Sequence, residues 1–148
     1  LFGLAMNTRA KVLILNEDGA GLLLCQQALA AAGFSVLTTQ TRDQLFAILT
    51  QQMIDVVLLE CCSAEEIKLI GSIKAQWPDT QVVVATDSPS LANAKRAMGL
   101  GAYDYLAKPV LLGDICVAVQ LAAVQKKWAL HRITGQILIP SIHCGESS

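Results

Sequence analysis

Polar residues of the types found in ion-binding sites follow four short apolar runs of the chain. They are Asn16 with Glu17 and Asp18, Glu60, Thr86, and Lys108 with Pro109. Carboxylate oxygens are ligands that Mg²⁺ prefers in proteins. An ammonium group and a hydroxyl can hold an anionic group through charge and a hydrogen bond. If the fold gathers these side chains, the sequence predicts a pocket for a hard cation beside an anionic group.

The loop after the first apolar run contains Gly19 and Gly21, which raises the question of a phosphate-binding loop. Its acidic residues would repel a phosphate, and the chain lacks the GxGxxG and GxxxxGK[ST] patterns. We therefore interpret the two glycines as turn residues that lead into a helix. The loop is predicted to contribute to an acidic pocket instead.

The elements that must position these residues alternate regularly. Short runs rich in β-branched residues predict strands at 11–15, 35–39, 55–59, 81–85 and 102–106. Segments with helical periodicity lie between and after them. Because the strands are apolar on both faces, we predict a parallel sheet covered by helices on each side. The expected fold is a three-layer (βα)5 doubly wound sheet of order 2-1-3-4-5, whose site lies at the carboxyl ends of the strands.

Local patterns predict where the helices begin and end. A first stripe is ended by Gly33 and consists of Leu22, Cys25, Leu29 and Ala32. Thr41 with Gln44 and Ser63 with Glu66 have the spacing of capping boxes. The dipeptide at 88–89, Ser-Pro, predicts the start of a fourth helix.

The last predicted helix, from about Leu112 to about Leu130, carries two apolar stripes. The first, expected to face the sheet, contains Ile115, Ala118, Val119 and Ala122. The second contains Val117, Leu121, Val124 and Trp128, at spacings of four, three and four. A helix with one buried side needs only one such stripe. Two interpretations stay open, a wide core face or a surface that binds a partner.

Composition narrows the class of protein. The 148 residues predict one domain, and 53% of them are hydrophobic while only 16% are charged. A net charge of −1 gives no electrostatic case for binding nucleic acid. No apolar run is long enough to span a membrane. Five cysteines, an odd count without a secretion signal, favour a reducing cytoplasm.

Four stretches, in this order, resemble the receiver domains of two-component response regulators. They are KVLILNED, DVVLLE, VVVATDS and GLGAYDYLAKP, and the resemblance covers about residues 11 to 127. It implies the flavodoxin-like, CheY-like version of the predicted fold and a role in phosphorelay signal transduction. It also implies a histidine kinase or another signalling protein as partner, and a homodimer through helix 4, strand 5 and helix 5.

The resemblance also implies roles for individual residues. Asn16 and Glu17 take the positions of the two metal-binding acids, and the backbone carbonyl of Cys62 would be a further ligand. Glu60 takes the position of the phosphorylated aspartate. The switch residues would be Thr86, Tyr105 and Lys108, with a cis peptide bond expected before Pro109.

Two departures fall on the chemistry. Glu60 stands where the family has aspartate, and its extra methylene moves the carboxylate roughly 1–1.5 Å farther from the backbone. Asn16 removes a negative charge, which weakens Mg²⁺ binding. We therefore predict a non-enzymatic pseudo-receiver that acts through protein contacts. The alternatives are a Mg²⁺-dependent switch phosphorylated on Glu60 or a neighbouring acid such as Asp18, and a small α/β phosphotransferase or hydrolase that uses the acidic rim.

The domain boundaries follow from the pattern. Residues 1–10 are expected to form a tail, with Met6 as a candidate natural start. Residues 11–130 are expected to form the receiver-like domain. Residues 131–148 lack the pattern of a complete domain, which leaves a tail or the start of a linker to an output domain.

Overall fold

A computed structural model of the chain describes residues 9–19, 21–61 and 63–134, without the side chains of Cys61 and of residues 126–134. Strands and helices alternate through the described residues. The strands are β1 (Lys11–Asn16), β2 (Ser35–Thr39), β3 (Val56–Cys61), β4 (Gln81–Thr86) and β5 (Asp104–Ala107). The helices are α1 (Leu22–Ala31), α2 (Arg42–Gln51), α3 (Ala64–Gln76), α4 (Leu91–Gly99) and α5 (Leu112–Thr134).

All five strands are parallel and lie in the order β2-β1-β3-β4-β5, which confirms the predicted fold class. The register places Asn16 directly beside Glu60 and Cys61 beside Thr86. The carboxyl ends of β1, β3 and β4 therefore meet at one edge of the sheet. This edge is called the rim below, and it is where the predicted polar residues gather.

The core has two layers, one on each face of the sheet. Helices α2, α3 and α4 pack on one face, through residues such as Leu45, Ile70 and Ala97. Helices α1 and α5 pack on the other, through residues such as Leu29 and Val119. Burial on both faces explains why the central strands are apolar between their polar ends. No helix within the described residues is long and apolar enough to cross a membrane.

The two stripes of α5 have opposite environments. The stripe predicted to face the sheet, Ile115, Ala118, Val119 and Ala122, is buried. Of the second stripe, Val117, Leu121 and Val124 are 51%, 53% and 48% exposed, so a wide core face is wrong for these three. The side chain of Trp128 lies outside the described residues.

Several predicted boundaries and caps need correction. Helix α4 begins after Ser90, not at Ser88, because the Ser90 hydroxyl accepts a hydrogen bond from the backbone N–H of Asn93 (3.0 Å). Ala32 is exposed, since α1 ends at Ala31. The Thr41 cap is confirmed, with its hydroxyl accepting from the Gln44 backbone N–H at 3.1 Å. The Gln44 side chain, however, accepts from the hydroxyl of Thr39 (2.7 Å).

Candidate functional site

Asn16 and Glu60 form the centre of the rim. Both end their strands at adjacent register positions, and Asn16 is only 2% exposed. The Asn16 Nδ2 group donates a hydrogen bond to Glu60 Oε1 at 2.9 Å. Its Oδ1 atom accepts a hydrogen bond from the backbone N–H of Gly19, also at 2.9 Å. The amide therefore connects the first loop to the Glu60 carboxylate.

Lys108 contacts the other oxygen of this carboxylate. Its Nζ atom lies 3.3 Å from Glu60 Oε2, and the Glu60 side chain is 5% exposed while that of Lys108 is 30% exposed. The backbone N–H of Lys108 donates to the carbonyl oxygen of Thr86 at 2.7 Å, which fixes the loop after β5 against the end of β4. The peptide bond between Lys108 and Pro109 is cis. The buried Glu60 carboxylate thus has a donor at each of its two oxygens, which offsets the cost of burying it.

Thr86 ends β4 beside this pair and is 3% exposed. Its hydroxyl oxygen accepts a hydrogen bond from the backbone N–H of Ser88 at 3.0 Å. This contact holds the hydroxyl in the turn that leads to α4. The sequence predicted its place at the rim, while the contact with Ser88 was not foreseen.

Tyr105 packs against the core layer formed by α2, α3 and α4. Its hydroxyl oxygen is buried and has no hydrogen-bond partner among the described residues. Its backbone N–H donates to Asp104 Oδ1 at 2.8 Å. The ring therefore lies inward, against this core layer.

Glu17 lies next to the centre of the rim and makes different contacts. Its Oε2 atom is 3.6 Å from Nε of Arg42, and its side chain is 42% exposed. A hydrogen bond with the Glu66 carboxyl raises the pKa of Glu17, as do burial and the charge of Glu66, while Arg42 lowers this pKa. Two carboxyl groups in contact favour a proton between them. Glu17 thus contacts Arg42 of α2 and Glu66 of α3.

Glu66 is a residue that sequence reasoning assigned wrongly. Ser63 and Glu66 were predicted to cap α3, but the Ser63 side chain makes no capping hydrogen bond to the helix backbone. Its hydroxyl instead donates to Glu66 Oε1 at 3.3 Å, and Glu66 is 5% exposed. The S-x-x-E spacing suits both arrangements, because a buried acid nearby competes for the hydroxyl. The local sequence does not separate the two arrangements, because Glu66 also forms a hydrogen bond with Glu17, which is distant along the chain.

The donor set at the rim does not fit a hard divalent cation. The Asn16 oxygen is committed to Gly19, both Glu60 oxygens face donors, and Glu17 is turned to α2 and α3. Among residues 9–19, 21–61 and 63–134, no group of three or more His, Cys, Asp or Glu is arranged to hold a metal ion. Cys62 lies outside the described residues. Of the predicted ligands, Asn16 and Glu60 are in contact with each other, whereas Glu17 contacts Arg42 and Glu66.

Comparison with known proteins relates the chain to one family. A family model described as the response regulator receiver domain matches residues 12–120. The DNA-binding transcriptional regulator NtrC of Rhizobium meliloti is 30% identical over 122 residues, which are 81% of this chain and 25% of the relative. The alginate biosynthesis transcriptional regulatory protein AlgB of Pseudomonas putida is 26% identical over 140 residues, 92% of this chain and 31% of the relative. The chain thus spans a third or less of the length of these two relatives.

Solved structures share the fold. A CheY-like receiver domain from Methanospirillum hungatei superposes with a TM-score of 0.76 at 20% identity, over 82% of this chain and 99% of the other. A receiver domain from Clostridium thermocellum gives 0.73 at 30% identity, over 81% and 98%. The beryllofluoride-activated NtrC4 receiver dimer gives 0.73 at 22% identity, over 78% and 98%.

Proposed function

Because the chain belongs to the response regulator receiver domain family, we propose that it acts in two-component signal transduction as a pseudo-receiver, which signals through protein contacts without phosphorylation at Glu60. Receiver domains interact with histidine kinases, can dimerise and typically bind Mg²⁺ at the acidic phosphorylation site. Of these properties, we propose that this chain shares the binding of partner proteins and lacks the transfer of a phosphoryl group. It assigns residues 11–130 to the signalling unit and places the protein in the cytoplasm.

The observation that carries the proposal is the state of the Glu60 carboxylate. One oxygen accepts from Asn16 and the other lies 3.3 Å from Nζ of Lys108, in an almost fully buried side chain. A phosphoryl acceptor needs an oxygen placed in line with the donor, and the extra methylene of glutamate spoils that placement. Breaking either contact would also expose a buried charge that has lost a partner. Glu60 is therefore a poor nucleophile.

The outer face of α5 supports the protein contacts. Val117, Leu121 and Val124 lie on one side of the helix with about half of each side chain exposed, and Leu91 and Met98 of α4 are also exposed. Exposed apolar stripes of this kind favour association. We propose a partner surface formed by α4, β5 and α5, which a second copy of the chain or another signalling protein would cover.

A phosphotransferase or hydrolase has weaker support. Such an enzyme needs a nucleophile or a general base that is available to the substrate. Burial, with a smaller contribution from the charge of Glu60, raises the pKa of the Cys25 thiol to about 12, although the charge of Lys108 lowers it. This thiol stays protonated at neutral pH. Thiol and carboxylate alike are therefore unsuited to attack.

Intact-mass spectrometry after incubation with Mg²⁺ and acetyl phosphate tests the proposal. We expect no phosphoryl group on the wild-type chain. The double variant N16D/E60D restores both family acids and should gain a Mg²⁺-dependent phosphoryl group, which establishes that the conditions are adequate. Phosphorylation of the wild-type chain that disappears in Glu60→Gln would overturn the proposal.

A further inference from the structure

We propose that the side-chain amide of Asn16 replaces the metal ion of the receiver pocket, so that the rim is held by an amide–carboxylate–ammonium chain and needs no cation. The chain consists of Asn16, Glu60 and Lys108. This inference rests on the proposed function, because it takes the rim as the signalling site, and it deepens that function by naming what stabilises the site. It concerns cation binding, which can be measured separately from phosphorylation.

The orientation of the Asn16 amide follows from its neighbour Gly19. A backbone N–H can only donate, so the Asn16 atom that faces Gly19 at 2.9 Å must be the oxygen. The NH₂ group must then face Glu60, where it donates at 2.9 Å. With the oxygen turned away from the carboxylate, Asn16 offers the centre of the pocket a donor. A metal ion at that point would need an acceptor.

Both oxygens of the Glu60 carboxylate already have a donor from the protein. Oε1 faces Asn16 and Oε2 faces Lys108, while the side chain is 5% exposed. The Asn16 amide thus supplies to Oε1 the positive end of a dipole, which a bound cation would otherwise have to supply as charge.

An aspartate at position 16 would reverse this arrangement. One of its oxygens could still accept from Gly19, but the other would lie about 3 Å from Glu60 Oε1, taking the place of Nδ2. Two carboxylate oxygens at that distance cannot both stay ionised unless a cation or a proton lies between them. Asparagine at position 16 and glutamate at position 60 thus form a matched pair.

Thermal unfolding in EDTA and in millimolar Mg²⁺, at constant ionic strength, tests the inference. The wild-type chain should unfold at the same temperature in both. Asn16→Asp should lower the melting temperature in EDTA by about 3–6 °C, and Mg²⁺ should restore much of the loss. Gln120→Glu, which adds the same charge on the exposed side of α5, serves as the matched control and should not respond to Mg²⁺. A wild-type response equal to that of Asn16→Asp would overturn the inference, as would an Asn16→Asp variant that ignores Mg²⁺.

A second measurement keeps the test decisive if Asn16→Asp does not fold. The side-chain NH₂ resonances of Asn16 in the wild-type chain should shift in Glu60→Gln and should stay unchanged on addition of Mg²⁺. Movement of these resonances with Mg²⁺ would contradict the inference. Phosphorylation of a wild-type chain that ignores Mg²⁺ in both measurements would overturn the proposed function and leave this inference standing. A Mg²⁺ response without phosphorylation would do the reverse.

Discussion

The rim of the sheet and the outer face of α5 satisfy their surroundings in opposite ways. At the rim, both oxygens of buried Glu60 face donors of the protein itself. On α5, Val117, Leu121 and Val124 leave about half of each apolar side chain exposed. The charge at the rim is thus paired within the protein, whereas the apolar face of α5 would be stabilised by a partner that removes it from water. The rim therefore needs no further binding partner, whereas the α5 face is suited to bind one.

The largest effect is expected where the rim is broken. Lys108→Met leaves a buried carboxylate without its cation and should lower the free energy of unfolding by about 2 kcal/mol. Lys68→Met is the control, because the pair of Lys68 with Glu65 (3.3 Å) is exposed on both sides and should contribute less than about 0.5 kcal/mol. Urea unfolding of both variants measures the difference. Equal losses would show that the rim is no better satisfied than the surface.

A charged residue on the α5 face should weaken self-association and leave the fold intact. Leu121→Asp is expected to weaken any self-association at least tenfold, about 1.4 kcal/mol, while the stability of the monomer changes by less than about 0.5 kcal/mol. Leu23→Asp on α1 is the matched control, because Leu23 is 63% exposed but lies on another helix. Sedimentation over a range of concentrations measures both. Equal effects of the two substitutions on self-association would contradict the proposal that the α5 face is the partner surface.

The smallest effect concerns the acid beside the rim. The hydrogen bond with Glu66 raises the pKa of Glu17 above its ordinary value, so the folded chain holds more protons than the unfolded chain in the window just above that value. The stability contributed by Glu17 is therefore present at lower pH and is lost as the pH rises through its folded pKa. In Glu17→Gln this loss should disappear, so that stability relative to the wild type increases with pH across the window.

Chemical denaturation of Glu17→Gln at several pH values between 4 and 7 measures this trend. Exposed Glu65, changed to glutamine, is the control, because its partner is Lys68 rather than a second acid. The control should show no comparable increase with pH. A Glu17→Gln variant that runs parallel to the wild type would mean that Glu17 and Glu66 do not share a proton in solution.

Most of the fold could be predicted from the sequence because its signals are local. Runs such as 82–85 are apolar at every position, as a parallel sheet covered on both faces requires, and strand order follows from short right-handed crossovers. The meeting of Asn16, Glu60 and Lys108 was also predictable, since parallel strands end at a common edge. The rotation of α5 was predicted as well, since the stripe expected to face the sheet, which includes Val119, is the buried one. Whether the second stripe belonged to the core or to the surface stayed open, because apolar residue types alone do not say how wide the buried side of a helix is.

The contacts of the site could be predicted less well than its members. The orientation of the Asn16 amide depends on the backbone N–H of Gly19, a group that every residue except proline carries. The partnership of Glu17 with Glu66 joins a strand to a distant helix, and the local pattern around Ser63 favoured a cap instead. Such hydrogen bonds depend on tertiary distances, which residue types and spacing do not encode.

The hydrogen bond between Asn16 and Glu60 also restricts how this sequence can change. Asn16→Asp alone sets two acids against each other, and Glu60→Asp alone withdraws the carboxylate from the amide and from Lys108. Each single substitution is therefore expected to lower the stability of the protein. The two positions are expected to tolerate change together more readily than one at a time, because either substitution alone removes the hydrogen bond between them.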